Sequence, residues 1–324
     1  MKRGQANQLL LIAAILWGAG NVAQQTILEH IGPFLAVGLR CAIACLVILP
    51  FAFAANTMTR TREMTEDRSG ILAILSFTIA ITVQQIGFAY TTVTNAGFIV
   101  NTTAVATPLL AWVLLRRRPE SKIWPAAALS FFGAALLSGG SLGGINLGDV
   151  LCFISAIFFS LWMIYLGEFV TRNGNAVQLT LAQFSLAGFI CISLSFLLET
   201  ISFDSIEAAL PELLTLGVFS TGVAFLLQSF AQKYTSAGEA AVITSGEAVF
   251  GAVGAAIYLG ERLGVLAGAG AALVLVGVLI LQIPSYNLTQ RKHRQGPASV
   301  PPLDASVLAT QPADKAARKY PRAA

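Results

Sequence analysis

Charge is what this chain most conspicuously lacks. Asp, Glu, Lys and Arg make up only 11% of its 324 residues, against roughly a quarter in a soluble globular domain. Histidine is nearly missing as well: His30 and His293 are the only two, and both fall outside the apolar tracts. The four cysteines, Cys41, Cys45, Cys152 and Cys191, form no CxxC pair. Cys41 and Cys45 share a helix face at i, i+4, but no histidine or carboxylate joins them. They read as small apolar packing residues rather than a metal or redox pair. These shortages leave neither a metal site nor a cofactor to expect. Membrane-enzyme chemistry is disfavoured too, because convergent nucleophile, base or metal groups are missing. No basic face interleaved with aromatics occurs, so no nucleic-acid partner is expected. The glycine-rich run Ser138-Gly139-Gly140-Ser141-Leu142-Gly143-Gly144 lacks a following Lys-Ser/Thr and is no phosphate loop; it reads as a linker.

What the chain has in excess is apolar surface. Hydrophobic residues make up 56% and mean hydropathy is +0.73. A water-soluble fold of this size has no core large enough to hide that much. Lipid is therefore the expected solvent. Apolar stretches of the length that spans a bilayer, about 20 residues, occur ten times, near 7–28, 34–54, 70–90, 95–115, 122–141, 148–167, 176–198, 211–232, 237–258 and 263–283. The first follows Lys2 and Arg3 as a secretory leader would. No small-residue cleavage site follows Trp17, however, and the segment has a counterpart later in the chain, so it reads as a span.

Basic residues orient the spans. With the N-terminus inside, eighteen of the twenty Lys and Arg fall in cytoplasmic segments, leaving Arg262 in an outer loop and Arg40 within a span. That bias predicts an inner-membrane protein with both termini cytoplasmic. Beyond Pro284 the composition turns to Ala, Pro and scattered charge, which predicts a disordered cytoplasmic tail over 284–324 with a basic cluster at Arg291-Lys292-His293-Arg294.

The chain also repeats itself. A shift of 142 lays Trp17-Gly18 on Phe159-Ser160, Phe88-Ala89-Tyr90 on Phe230-Ala231-Gln232, and Thr94-Asn95-Ala96 on Ser236-Ala237-Gly238. A shift of 144 lays Leu115 to Arg118 on Leu259 to Arg262, and Gly133 on Gly277. Five spans thus recur as five, over 1–141 and 142–283. Because five is odd, the second unit is inverted relative to the first. The predicted fold is an all-α membrane protein of ten transmembrane helices in two inverted five-helix repeats, an architecture of transporters. A channel is disfavoured, since no ring-forming charged motif is present.

Several of these residues resemble the EamA family of the drug/metabolite transporter superfamily. Ile15-Leu16-Trp17-Gly18, then Gly32-Pro33-Phe34 leading to Leu39-Arg40, are similar to the start of its first repeat. Gly148-Asp149 opening span 6, Gly246-Glu247-Ala248-Val249-Phe250 and Leu259-Gly260-Glu261-Arg262-Leu263 are similar to its second. Ala248 stands where the family usually carries proline. The resemblance covers 7–283 and implies export of amino acids, their derivatives or other metabolites. It also implies a path lined by spans 1, 3, 4, 6, 8 and 9, and an arginine in span 2.

Polar groups inside spans are costly unless paired or hydrated, which makes each a candidate for function. Glu247 lies ten residues into span 9, about 15 Å deep at 1.5 Å per residue. A carboxyl group at mid-bilayer can take up a proton or pair with a cationic group of the cargo. Trp17, Asn21 and Gln24 or Gln25 form one stripe on span 1, and Gln25 is taken as the candidate. Gln84 and Gln85 point about 100° apart, and Gln85 is taken. Asn101, Gln228 and Thr244 add polar groups, and Trp162 an aromatic wall. Arg40, whose stem can snorkel outward, is assigned as a structural anchor in preference to a clamp for a substrate carboxylate. Pro108 predicts a kink in span 4. Gly264-x-x-x-Gly268, Gly251, Gly254 and Gly270 predict close contact between spans 9 and 10.

The expected function is a secondary active transporter of small polar, amino-acid-like metabolites. It would be an exporter working by alternating access, with protons as a candidate coupling ion and no ATP-binding domain. The alternatives are a membrane scaffold or, less favoured, a membrane enzyme.

Overall fold

The computed structural model describes residues 1–54, 67–138, 146–173, 175–258 and 264–283. Among them there is no strand; every regular element is helical. Lipid offers the backbone no hydrogen-bond partner, so a spanning segment must satisfy its own N–H and C=O groups. Among the described residues, and apart from the short helices Ile27–Glu29 and Phe203–Ala208, ten helices form the bundle: α1 (Arg3–Thr26), α2 (Pro33–Ala54), α3 (Arg68–Phe88), α4 (Val93–Val100 and Thr103–Leu115), α5 (Ile123–Leu137), α6 (Leu147–Asn173), α7 (Ala176–Leu198), α8 (Leu210–Leu214, Thr215–Val223 and Ala224–Ala231), α9 (Ala237–Thr244 and Glu247–Tyr258) and α10 (Val265–Gln282). Nine are long and apolar enough to cross a membrane. The exception is α5, at 15 residues, about 22 Å by helical rise. The expected linker from 139 onward and the tail lie outside the described residues. Large apolar side chains such as Leu46, Phe189, Phe196, Leu197 and Val265 face outward, a coat that only lipid would wet.

Helix pairing obeys the internal repeat. The most extensive contacts between two helices have a counterpart between their equivalents in the other half. Thus α3 packs on α6 as α8 packs on α1, α9 packs on α1 as α4 packs on α6, and α2·α7, α4·α9 and α5·α10 are pairs that map onto themselves. Side-chain-free crossings repeat the match. A Cβ on Gly133 would meet Gly270 O at 2.7 Å, and one on Gly277 would meet Ala126 O at 2.7 Å. The shift of 144 carries the first contact onto the second.

One expectation about helix packing needs correction. Gly264 and Gly268 have nothing within 4 Å of an added Cβ, so their GxxxG spacing joins nothing among the described residues. Gly251 and Gly254 face Gly18, Asn21 and Val22 of α1, while Gly270 faces α5. The close approaches therefore run α9 to α1 and α10 to α5, not α9 to α10. In α4 the helix is interrupted at Asn101-Thr102, where Thr102 N–H bonds to Ile99 O at 3.0 Å, and Pro108 lies inside the segment that follows. A matching interruption falls at Ser245-Gly246, where Gly246 N–H bonds to Ile243 O at 3.3 Å. Both sites turn on i→i−3 bonds without proline. Their N-caps match too: Thr92 accepts from Asn95 N–H and Ser236 from Glu239 N–H. In α4 and α9 the repeat thus runs Thr92 to Ser236, and the Thr94 alignment is two residues out of step.

Polar ties hold one end of the bundle. Arg3 bridges Glu239, 1% exposed, at 2.5 Å and Glu120 at 3.0 Å, and Asn7 donates to Glu239 as well. Lys122 Nζ donates to the carbonyls of Leu281 and Ile283, which end α10. At the opposite end of α2, the Glu199 carboxylate accepts from Phe34 N–H and Leu35 N–H at 2.8 and 2.9 Å, capping that helix from the end of α7.

Candidate functional site

The two helix interruptions meet at one place. Val100 and Thr103 flank the break in α4, and Thr244, Ser245 and Glu247 flank the break in α9. All five line one cavity. A break frees backbone from the helical ladder, and such backbone is tolerated at membrane depth only where it is buried or borders a cavity. The remaining wall is Trp17, Asn21, Gln24, Arg40, Gln84, Phe159, Trp162, Met163, Ser220 and Phe225. The wall thus combines aromatic rings with amides and two charged side chains.

The aromatic wall is held in place. Trp17 Nε1 donates to Ser220 O at 2.8 Å, a carbonyl in the π-helical turn Thr215–Val223 of α8. Trp17 also meets Phe225 edge-on, with ring centroids 4.8 Å apart. Trp162 Nε1 donates to Gln183 Oε1 at 2.9 Å. Phe77, Phe159 and Trp162 surround Phe225 with centroid separations of 5.0 to 6.4 Å. Edge-to-face contacts from Phe77 and Trp162 and a stacked one from Phe159 fix ring orientation as well as filling space.

Of the candidates read from sequence, Trp17, Asn21, Trp162, Thr244 and Glu247 come together on this wall. Four do not line it. Gln25 lies off it; Gln24, one position earlier and seven after Trp17, takes its place. Gln85 is fully buried beside it, bonded to Arg40 and, through Nε2, to Gln24 O at 3.0 Å, and Gln84 lines the wall instead. Asn101 sits in the α4 break, 1% exposed, with neither side-chain amide atom bonded. Gln228 is buried and donates to Gln232, which donates to Met163 O, tying α8 to α6. In these neighbouring glutamine pairs a single residue's rotation decides which member faces the cavity, and spacing along the chain does not resolve that. Ser220 and Ser245 were missed entirely: serine in an apolar run carries no periodic signal.

Arg40 also lines the wall, and its guanidinium does not snorkel to an interface. It is 2% exposed and turned into the bundle, where Nη1 donates to Gln24 Oε1 at 3.3 Å and Gln85 Oε1 at 3.1 Å. The Glu247 carboxylate makes neither a hydrogen bond nor an ion pair with any described residue. Among the described residues no cluster of metal-ligating groups occurs.

The pattern of the EamA-like transporter family matches the chain twice, over residues 5–139 and 146–283. The chain belongs to the EamA-like transporter family. An Archaeoglobus fulgidus protein named only as an uncharacterized transporter is 32% identical over 283 residues, covering 87% of each chain. The Bacillus subtilis uncharacterized transporter YetK is 27% identical, covering 85% of this chain and 86% of its own. A protein of known crystal structure superposes with a TM-score of 0.68 at 16% identity, over 90% of this chain and 99% of that one. That likeness shows the fold. This EamA-like protein is an integral membrane transporter of the drug/metabolite superfamily, and its cavity lies where the two repeats interrupt their helices.

Proposed function

We propose that the cavity at the paired helix breaks is the cargo site of a secondary active transporter that exports small polar metabolites, amino acids or their relatives, by alternating access. The observation that carries this reading is Glu247: an intramembrane carboxylate, unpaired among the described residues, on a cavity whose wall also carries aromatic rings, neutral amides and Arg40. An unpaired carboxylate is expensive at membrane depth and persists where a cargo or ion needs it. A cationic amino group would satisfy it during transport. A proton would satisfy it on the return, which makes protons the candidate coupling ion. The inverted pairing of α1–α5 with α6–α10 supports rocking of repeats 1–141 and 142–283 about this site. The positive-inside bias supports cytoplasmic termini in the inner membrane.

Purified protein in liposomes tests this. Uptake of an amino acid is expected to saturate and to collapse with the pH gradient, and Glu247→Gln is expected to flatten the pH dependence. A full pH dependence in that variant would refute proton carriage by Glu247. Failure of a complete panel of amino acids and derivatives to move would refute the cargo assignment.

A further inference from the structure

Arg40 is over-qualified for an anchor. An arginine that anchors a span reaches for headgroups or water, whereas this one is 2% exposed and turned inward. Among the described residues its only hydrogen-bond acceptors are two neutral amide oxygens, Gln24 Oε1 and Gln85 Oε1, both on Nη1, its buried Nε has no partner, and no carboxylate lies within ion-pair distance. A guanidinium has five N–H donors in a planar fork shaped for a carboxylate. Leaving such a charge buried without a counter-charge is strongly unfavourable. Gln85 is itself braced, since its Nε2 donates to Gln24 O. The two amides thus hold Nη1 and aim the guanidinium while leaving its charge unneutralised.

The missing anion can only arrive by way of the cavity that Arg40 lines. Glu247 lines the same cavity and lacks a cation. A simple anion would satisfy Arg40 and be repelled by Glu247; a simple cation would do the reverse. A molecule carrying both charges satisfies both. Its remaining surface would lie against Trp17, Phe159, Trp162 and Phe225, which favours an apolar side chain.

We propose that Arg40 is the carboxylate-binding, specificity-determining residue of the cavity, and that the cargo is a zwitterionic amino acid with an apolar side chain whose ammonium group faces Glu247. This rests on the reading of the cavity as the cargo site.

Three probes separate the charges: L-phenylalanine carries both, phenethylamine lacks the carboxylate, and 3-phenylpropionate lacks the amine. Trp17 and Trp162 on the wall give an intrinsic fluorescence signal for titrating each into the full-length detergent-solubilised protein. L-Phenylalanine is expected to bind at least about tenfold more tightly than phenethylamine, because a site built to bond a polar group rejects an analogue lacking it. Arg40→Gln should weaken L-phenylalanine and 3-phenylpropionate and leave phenethylamine unchanged. Equal binding of L-phenylalanine and phenethylamine to the native protein would overturn the proposal, and needs no variant should Arg40→Gln fail to fold. Weakening of all three probes alike in a folded Arg40→Gln would also overturn it, leaving Arg40 a structural residue. Binding of 3-phenylpropionate through Arg40 without binding of L-phenylalanine would uphold the carboxylate contact and refute the amino-acid cargo. No binding by any probe would overturn both.

Discussion

A single methyl group placed on Gly270 distinguishes helix propensity from helix crossing. Ala is the better helix former by about 1 kcal/mol, so on propensity alone Gly270→Ala should stabilise α10. The crossing with α5 argues the other way. A Cβ at 270 would lie 2.5 Å from Gly133 O, 2.7 Å from Leu137 N and 3.0 Å from the Leu136 Cβ. Two of those atoms are backbone and cannot rotate away. Ordinary contact begins near 3.4 Å, so the helices must separate by roughly 1 Å, at an overpacking cost of about 1–3 kcal/mol. The net expectation is a loss of up to about 2 kcal/mol. Gly268→Ala, two residues earlier on the same helix with nothing within 4 Å, supplies the control: there propensity acts alone, and the change is neutral or stabilising by up to about 1 kcal/mol. Reversible denaturation in mixed micelles, followed by tryptophan fluorescence, measures both. Equal stabilisation by the two substitutions would refute the tight α5–α10 crossing at Gly270.

Two further substitutions probe the polar ties. Arg3→Ala leaves the Glu239 carboxylate, 1% exposed, with Asn7 as its side-chain donor. Because Arg3 itself is 39% exposed, the expected loss is about 1–3 kcal/mol rather than the full cost of breaking a buried pair, read as a lower thermal midpoint that Glu239→Gln in the same background partly restores. Glu199→Ala removes the carboxylate that caps α2. It should cost about 1–2 kcal/mol, seen as earlier unfolding and faster amide exchange at Phe34 and Leu35, with protection at Asn95 and Glu239, under their own caps, unchanged.

Much of the fold was legible in the chain. Hydropathy alone located ten spans because the bilayer imposes one length and one polarity on every segment that crosses it. The repeat was legible because equivalent helices must make equivalent crossings, which preserves small residues such as Gly133 and Gly277 at matching positions. The site was only half legible. Tryptophan and a mid-span glutamate stand out in any apolar run, and Trp17, Trp162 and Glu247 do meet at the cavity. Gln24 against Gln25, and Gln84 against Gln85, are indistinguishable by composition, since either choice gives an amphipathic stripe.

The sequence by itself thus determined the solvent, the number of spans and the inverted duplication, all of which follow from period, length and the cost of charge in lipid. Tertiary structure alone decided where α4 and α9 interrupt, which glycines touch backbone, and that Arg40 turns inward without a counter-charge. Those outcomes depend on contacts between residues far apart in the chain: Gln24 and Gln85 must converge on Arg40 before its inward orientation exists at all. A residue's type sets what it can bond, but only the packed bundle sets what is left for it to bond.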